Sequence, residues 1–211
     1  MLRIIHKFLV SFIILIIFAG TLHNPIQPII NDNSLFETLF SKIEPETLNE
    51  NVFKLIGQDW TCITAGNDSL FNSMTASFGG WGTMFNKPVT WCFLRANRYT
   101  LELIRKEQRF TMCYFENKYK NELLLFGSKS GRNSNKMKET KLTAIKTPND
   151  NIAYKEAKLI IECKLFEITN VTPEDFYDNE AKKFITDACK ELNDCHKLVF
   201  GEIIGIWIKK P

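Results

Sequence analysis

From Asp59 onward the chain reads as a succession of short strands. Runs rich in β-branched and aromatic residues recur between Gly, Asn and Pro. The runs are Thr61–Ala65, Met74–Phe78, Val89–Leu94, Phe110–Phe115, Lys158–Ile168 and Val199–Ile208. Asn86-Lys-Pro88 separates two of them and reads as a turn, since Pro cannot donate to a sheet ladder. Helical stretches interrupt the strands at Leu101–Lys106, Tyr119–Phe126 and Ala181–Leu192, with a short one at Asn135–Glu139. Ahead of them Pro45 and Glu46 suit the first turn of a helix running to Leu55. No βαβ unit repeats. The expected fold is therefore mainly β with peripheral helices, a closed or partly closed antiparallel barrel rather than a doubly wound sheet.

The first residues follow a different pattern. Arg3, His6 and Lys7 precede an apolar run from Phe8 to Gly20 broken only by Ser11, the layout of a signal peptide or an N-terminal membrane anchor over 1–20. Phe18-Ala-Gly-Thr21 is a poor cleavage site, and no cysteine follows closely enough for a lipid anchor. Export or membrane attachment through residues 8–20 is the expectation. Residues 21–39, with two prolines and several Asn, read as a linker, leaving 40–211 as the folded domain.

Composition narrows the classes. With 211 residues, 45% hydrophobic and 24% charged, the chain has enough apolar material for a substantial core. A net charge of +3 from 27 basic and 24 acidic residues is too balanced to argue for nucleic acid. Cys62, Cys92, Cys113 and Cys163 sit inside strand runs and read as buried free thiols. Cys189 and Cys195 lie in a more polar stretch and can pair if the protein is exported. There is no Cys-x-x-Cys to suggest zinc or a thioredoxin-like site.

Three segments carry the candidate chemistry. Asn72-Ser-Met-Thr-Ala-Ser-Phe-Gly-Gly80 is a hydroxyl-rich strand ending in glycines, which lets backbone amides approach a flat ligand. Arg98-Tyr99-Thr100 stands at a helix start with Thr100 as the expected N-cap, a combination suited to an anion. Gly127-Ser-Lys-Ser-Gly-Arg-Asn-Ser-Asn-Lys136 is a cationic, hydroxyl-bearing loop. Read alone, each has an ordinary structural explanation: a strand and turn, a capped helix, a solvated basic loop. For Lys129 the solvated reading is preferred. Gly80-Trp81-Gly82 does not extend to a dinucleotide fingerprint, because Phe85 occupies the final glycine position. Gly-x-Ser-x-Gly and His-Glu-x-x-His are also missing, which leaves hydrolase and metalloprotease readings unsupported.

Taken together, the three segments resemble the flavin reductase-like family of FMN-binding split β-barrels, over about Phe40 to Lys209. The family's Gly-Ser-x-Ser-Gly-Arg-Asp-x-Asp-Lys pattern is matched except that Asn133 and Asn135 stand in the acidic positions. The resemblance implies a six-stranded Greek-key split barrel, a homodimer, and FMN as cofactor, with NADH or NADPH as transient donor. It implies that Asn72, Ser73, Met74, Thr75, Ala76 and Ser77 hold the ring. Arg98, Tyr99, Thr100, Ser128, Ser130, Arg132 and Lys136 would serve the ribityl and phosphate end. His196 and Trp81 are further candidates for contact with flavin or nicotinamide, each with a structural role as its rival. The chemistry would be the flavin's, so no catalytic side chain and no metal is expected. Two alternatives stand beside the reductase: a flavoredoxin-like electron carrier served by a redox protein, and a binding protein that has lost flavin. Family members are usually cytoplasmic, which conflicts with the leader. If the protein is exported, NAD(P)H is scarce around it and the carrier gains ground.

Overall fold

A computed structural model describes residues 28–192 and 194–211. The expected leader and the first part of the expected linker lie outside the described residues. The remainder of that linker is structured, contrary to expectation. Helix α1 (Asn33–Leu39) is capped by the Asp32 carboxylate and buries Phe36 completely. It leads into strand β1 (Phe40–Ile43).

The expected helix over 45–55 breaks into three pieces. A 3-10 turn (Pro45–Thr47) is followed by α2 (Val52–Lys54), which Asn51 caps, and a π-helical turn runs from Leu55 to Asp59. Next come β2 (Thr61–Asn67), β3 (Leu70–Ala76), β4 (Gly79–Met84) and β5 (Lys87–Arg95). Helix α3 (Tyr99–Glu107), β6 (Arg109–Tyr114) and α4 (Lys120–Ser128) follow. The stretch expected as a short helix over 135–139 is a 3-10 turn at Lys136–Lys138. The chain closes with β7 (Ala144–Lys146), β8 (Ile152–Tyr154), β9 (Leu159–Asn170), α5 (Asn179–Leu192) and β10 (His196–Lys209).

Eight strands form one antiparallel sheet in the order β3-β2-β6-β9-β10-β5-β4, with β1 also on β10, and β7 and β8 form a separate hairpin. The sheet thus has two strands more than the expected six. The additional ones are β1 and the glycine-rich β4, whose composition is a weak strand signal. Strand β10 is the seam of the split barrel. Its first half pairs with β5, its last residues with β1, and its other edge with β9 throughout. The turn between β4 and β5 is Phe85-Asn86, both at positive φ, and not Asn86-Lys-Pro88. Pro88 lies inside β5, just beyond the last β5–β10 pair, Val89 with Glu202, where a missing N–H costs the ladder nothing.

Most of β2 and β6 and the first half of β9 are buried on both faces, which is why these stretches read as continuous apolar runs. Ile63, Phe110, Met112, Tyr114 and Ile161 point into a core with Leu94, Leu101, Ile104 and Val199. Their neighbours Cys62, Cys113 and Ile160 point the opposite way, into a second core with Phe36, Phe126, Tyr154 and Trp207. The four strand thiols are free and buried, as their positions suggested. Among the described residues no helix is long and apolar enough to cross a membrane.

Candidate functional site

Strand β3 is the wall on which the candidate site is built. Its alternation sends Asn72, Met74 and Ala76 to one face and Ser73 and Thr75 to the other. Asn72 Nδ2 donates to Thr100 Oγ1 at 2.7 Å, tying β3 to the first turn of α3. Thr75 Oγ1 donates to Leu123 O at 2.5 Å, tying β3 to α4. The helix carrying Arg98 and the loop after α4 are thereby drawn to the same strand. A Cβ at Gly127 would sit 3.5 Å from that of Thr75, and one at Gly131 would overlap the Asn72 carboxamide. The contact at Gly127 is an ordinary one, so Gly131 is the glycine that allows the loop to close this tightly on β3.

Two adjoining recesses result. One, of about 460 Å³, is bordered by Asn72, Arg98, Tyr99, Thr100, Ser130 and Arg132. The other, of about 390 Å³, is bordered by Trp60, Thr75, Ala76, Ser77, Ser128 and His196. Met74, Arg98 and Gly127 border both. The three segments singled out in the sequence therefore converge on one continuous cleft.

Individual roles differ from expectation. Thr100 is not the N-cap of α3. Arg98 occupies that position and Thr100 is buried inside the first turn, accepting from Asn72. Ser73 faces away from the cleft, hydrogen-bonded to Thr64 Oγ1 at 2.7 Å and Tyr154 OH at 2.5 Å. Lys136 is buried and donates to Ser73 O at 2.8 Å and Phe126 O at 2.9 Å, so it braces the loop against β3 from below. Burial, with a smaller contribution from the nearby Arg98 charge, lowers its pKa to about 8. Arg132 is paired with Glu102 of α3 and stacks 4.9 Å from the Tyr99 ring centre. A carboxylate from another element thus partners the arginine in a loop that has Asn133 and Asn135 where the family pattern has acids. Lys129 makes an exposed pair with Glu139.

Arg98 is the exception. Its Nε is buried with no hydrogen-bond partner, at the junction of the two recesses. At the far end His196 is only 8% exposed and its Nδ1 also lacks a partner. Burial and the neighbouring Arg95 hold its pKa below the usual imidazole value, which keeps the ring neutral. Trp81 lies outside the cleft, packed on the barrel core 6.1 Å from the Tyr114 ring, so its core role prevails.

Sequence reasoning missed Trp60. It adopts φ 69° and ψ 160°, a conformation strained for any side chain, and it borders the second recess beneath the Lys120 ammonium, 3.3 Å from its ring centre. A tryptophan directly ahead of a strand carries no local signal of such a conformation.

A family model described as flavin reductase like domain matches residues 54–211. The chain belongs to the flavin reductase-like family. Solved structures agree on the split-barrel fold at low identity. An FMN-binding protein from Thermus thermophilus with bound p-hydroxybenzaldehyde is 18% identical with a TM-score of 0.56, covering 81% of this chain and 82% of that one. An FMN-binding domain of a flavin reductase-like enzyme from Shewanella baltica OS155 is 16% identical with a TM-score of 0.57, covering 80% and 76%. Flavoredoxin of Desulfovibrio vulgaris (Miyazaki F) is 19% identical with a TM-score of 0.55, covering 79% and 76%. No curated protein matches the sequence.

Proposed function

We propose that this flavin reductase-like protein binds FMN in the two-part cleft and acts as an NAD(P)H-dependent flavin oxidoreductase. The observation that carries the reading is Arg98. A guanidinium Nε withdrawn from water without a partner is costly unless a ligand acceptor meets it. It stands at the start of α3, where helix amides and dipole also favour an anion. The residues present fit the cofactor. Arg98, the α3 amides and the Ser130–Arg132 turn would receive the phosphate, while Thr75, Ala76 and Ser77 would line the ring. When bound, FMN would supply the redox chemistry, the acceptance of a hydride from NADH or NADPH. The protein's share is orientation and exclusion of water: Trp60 borders the ring end and neutral His196 presents a hydrogen-bonding nitrogen there. No side chain is required to act as acid or base.

The decisive measurement is the visible absorption spectrum of purified protein, with added FMN and then with NADH or NADPH under anaerobic conditions. Uptake of FMN followed by bleaching supports the reductase. Uptake with bleaching only by a protein donor makes the chain an electron carrier, and failure to take up FMN ends the proposal.

We also propose that the chain is a homodimer. Phe85, 78% exposed, stacks on Phe166, and Trp91 packs on Phe200, giving an aromatic patch across β5, β9 and β10. Phe85 is one of the most exposed large apolar side chains among the described residues, and a second copy would cover it. Light scattering at several concentrations tests it, and a monomer mass throughout excludes it.

A further inference from the structure

A third recess of about 490 Å³ opens beside the ring end of the cleft. Its walls are Phe78, Phe93, Phe176, Phe184, Ile185 and His196. Phe78, Phe93 and His196 border both spaces, so the two are continuous. Phe78 and Phe184 meet edge to face with ring centres 6.3 Å apart, yet remain 52% and 55% exposed. Helix α5 supplies the outer wall. It is fixed at its first turn by the Asp178 carboxylate, which accepts from the Ala181 N–H at 2.8 Å. At its far end the Cys189–Cys195 disulfide ties it to the residue before His196.

The charge around this recess is distinctive. Among the described residues the ionised groups on its lining are the carboxylates of Asp178 and Glu180, with no lysine or arginine beside them. A nicotinamide dinucleotide carries a pyrophosphate that needs cations, so this rim repels it. The size fits a small ligand rather than a macromolecular face, and aromatic walls suit a flat apolar ring system. One polar group is available within: His196, more than nine-tenths buried, with an unpartnered Nδ1.

We propose that the recess is a binding site for an uncharged aromatic molecule of one or two rings, seated against the four phenylalanines and hydrogen-bonded to His196. It would lie beside the ring end of the flavin, a relation that rests on the function proposed above. The recess itself does not depend on that function.

The test uses the full chain and the neutral fluorophore N-phenyl-1-naphthylamine, titrated with and without FMN, and compares it with its sulfonated anionic analogue. Saturable binding of the neutral probe is expected, with the anion weaker by about tenfold from rim repulsion. Phe184→Ala, at an exposed wall, should weaken the neutral probe by about tenfold and leave FMN affinity within about twofold. Glu180→Lys should strengthen the anionic probe and leave the neutral one unchanged. The proposal is overturned if the neutral probe fails to bind the wild type, or if Phe184→Ala leaves its affinity intact. It is also overturned if Phe184→Ala instead abolishes self-association, which would make the recess an interface between copies. FMN titration is scored separately: a protein that takes the probe but no flavin refutes the flavin reading alone.

Discussion

Replacing Arg98 with Met tests the phosphate end of the cleft most directly. Three of the four cations in the two binding segments are already committed. Arg132 is paired with Glu102, Lys129 with Glu139, and Lys136 with two backbone carbonyls. Of these four only Arg98 is left with a buried, unpartnered Nε; Arg109, which borders neither recess, has another. A hydrogen bond to a charged group contributes roughly 1.5–3 kcal/mol. Losing one worth about 2 kcal/mol should weaken FMN roughly thirtyfold. Methionine keeps the apolar stem, and the change removes an orphaned donor, so stability without ligand should move by less than about 1 kcal/mol. Arg132→Met, which removes an exposed and already neutralised cation, should weaken FMN by roughly threefold or less. The assay is flavin fluorescence quenching with FMN and riboflavin in parallel. Riboflavin lacks the phosphate, so its affinity should be unaffected by Arg98→Met. Parallel loss of both ligands, or an FMN affinity close to wild type, would refute this account of Arg98.

Other expectations follow from buried groups away from the cleft or beneath it. The Glu162 carboxylate is fully buried and accepts from Thr147, Asn149, Asn151 and Trp207. Glu162→Gln turns an amide donor toward donors, which should cost about 2 kcal/mol and lower Tm by roughly 4–8 °C with FMN affinity retained; an unchanged calorimetric Tm contradicts it. Lys136 titrates near 8 in the fold against 10.5 when free, so between those values the unfolded chain holds the extra proton. Wild-type stability relative to Lys136→Met should therefore rise with pH across that window, and a wild-type minus variant difference in urea midpoint that stays flat or falls would oppose the assignment. Cys62 and Cys92 are pushed up to about 12 by burial, and Cys113 and Cys163 are also raised. Native protein should react with maleimide at no cysteine without reductant and at Cys189 and Cys195 after mild reduction, with the other four labelled only in denaturant; native labelling of any strand thiol contradicts their burial.

How far the sequence was legible follows from what kind of signal each element emits. The expected runs in β2, β5, β6, β9 and β10 fell in the right places because they are β-branched and aromatic, whichever face is buried. Strand β4, with Gly79, Gly80 and Gly82, emits no such signal. It exists because the Phe85-Asn86 turn folds it back on β5, where Trp91 packs over Gly80. The three binding segments were legible as chemistry, and the structure brings them to one cleft. The direction of each side chain was not. Ser73 turns to Tyr154 while Asn72 reaches Thr100, yet Thr75, on the face of Ser73, borders the cleft beside Met74 and Ala76, so alternation alone does not say which side chain meets a ligand. Lys136 makes the limit plain. In the sequence it is the last cation of a phosphate-like loop, but its ammonium instead satisfies the carbonyls of Ser73 and Phe126. The Ser73 acceptor on β3 lies 63 residues away and the Phe126 acceptor on α4 ten, so the pattern of the loop itself does not separate a lysine that binds a ligand from one that holds the loop in place. The consequence is functional: with Lys136 committed to the scaffold, the charge facing an anion in this cleft falls to Arg98 and the α3 amides.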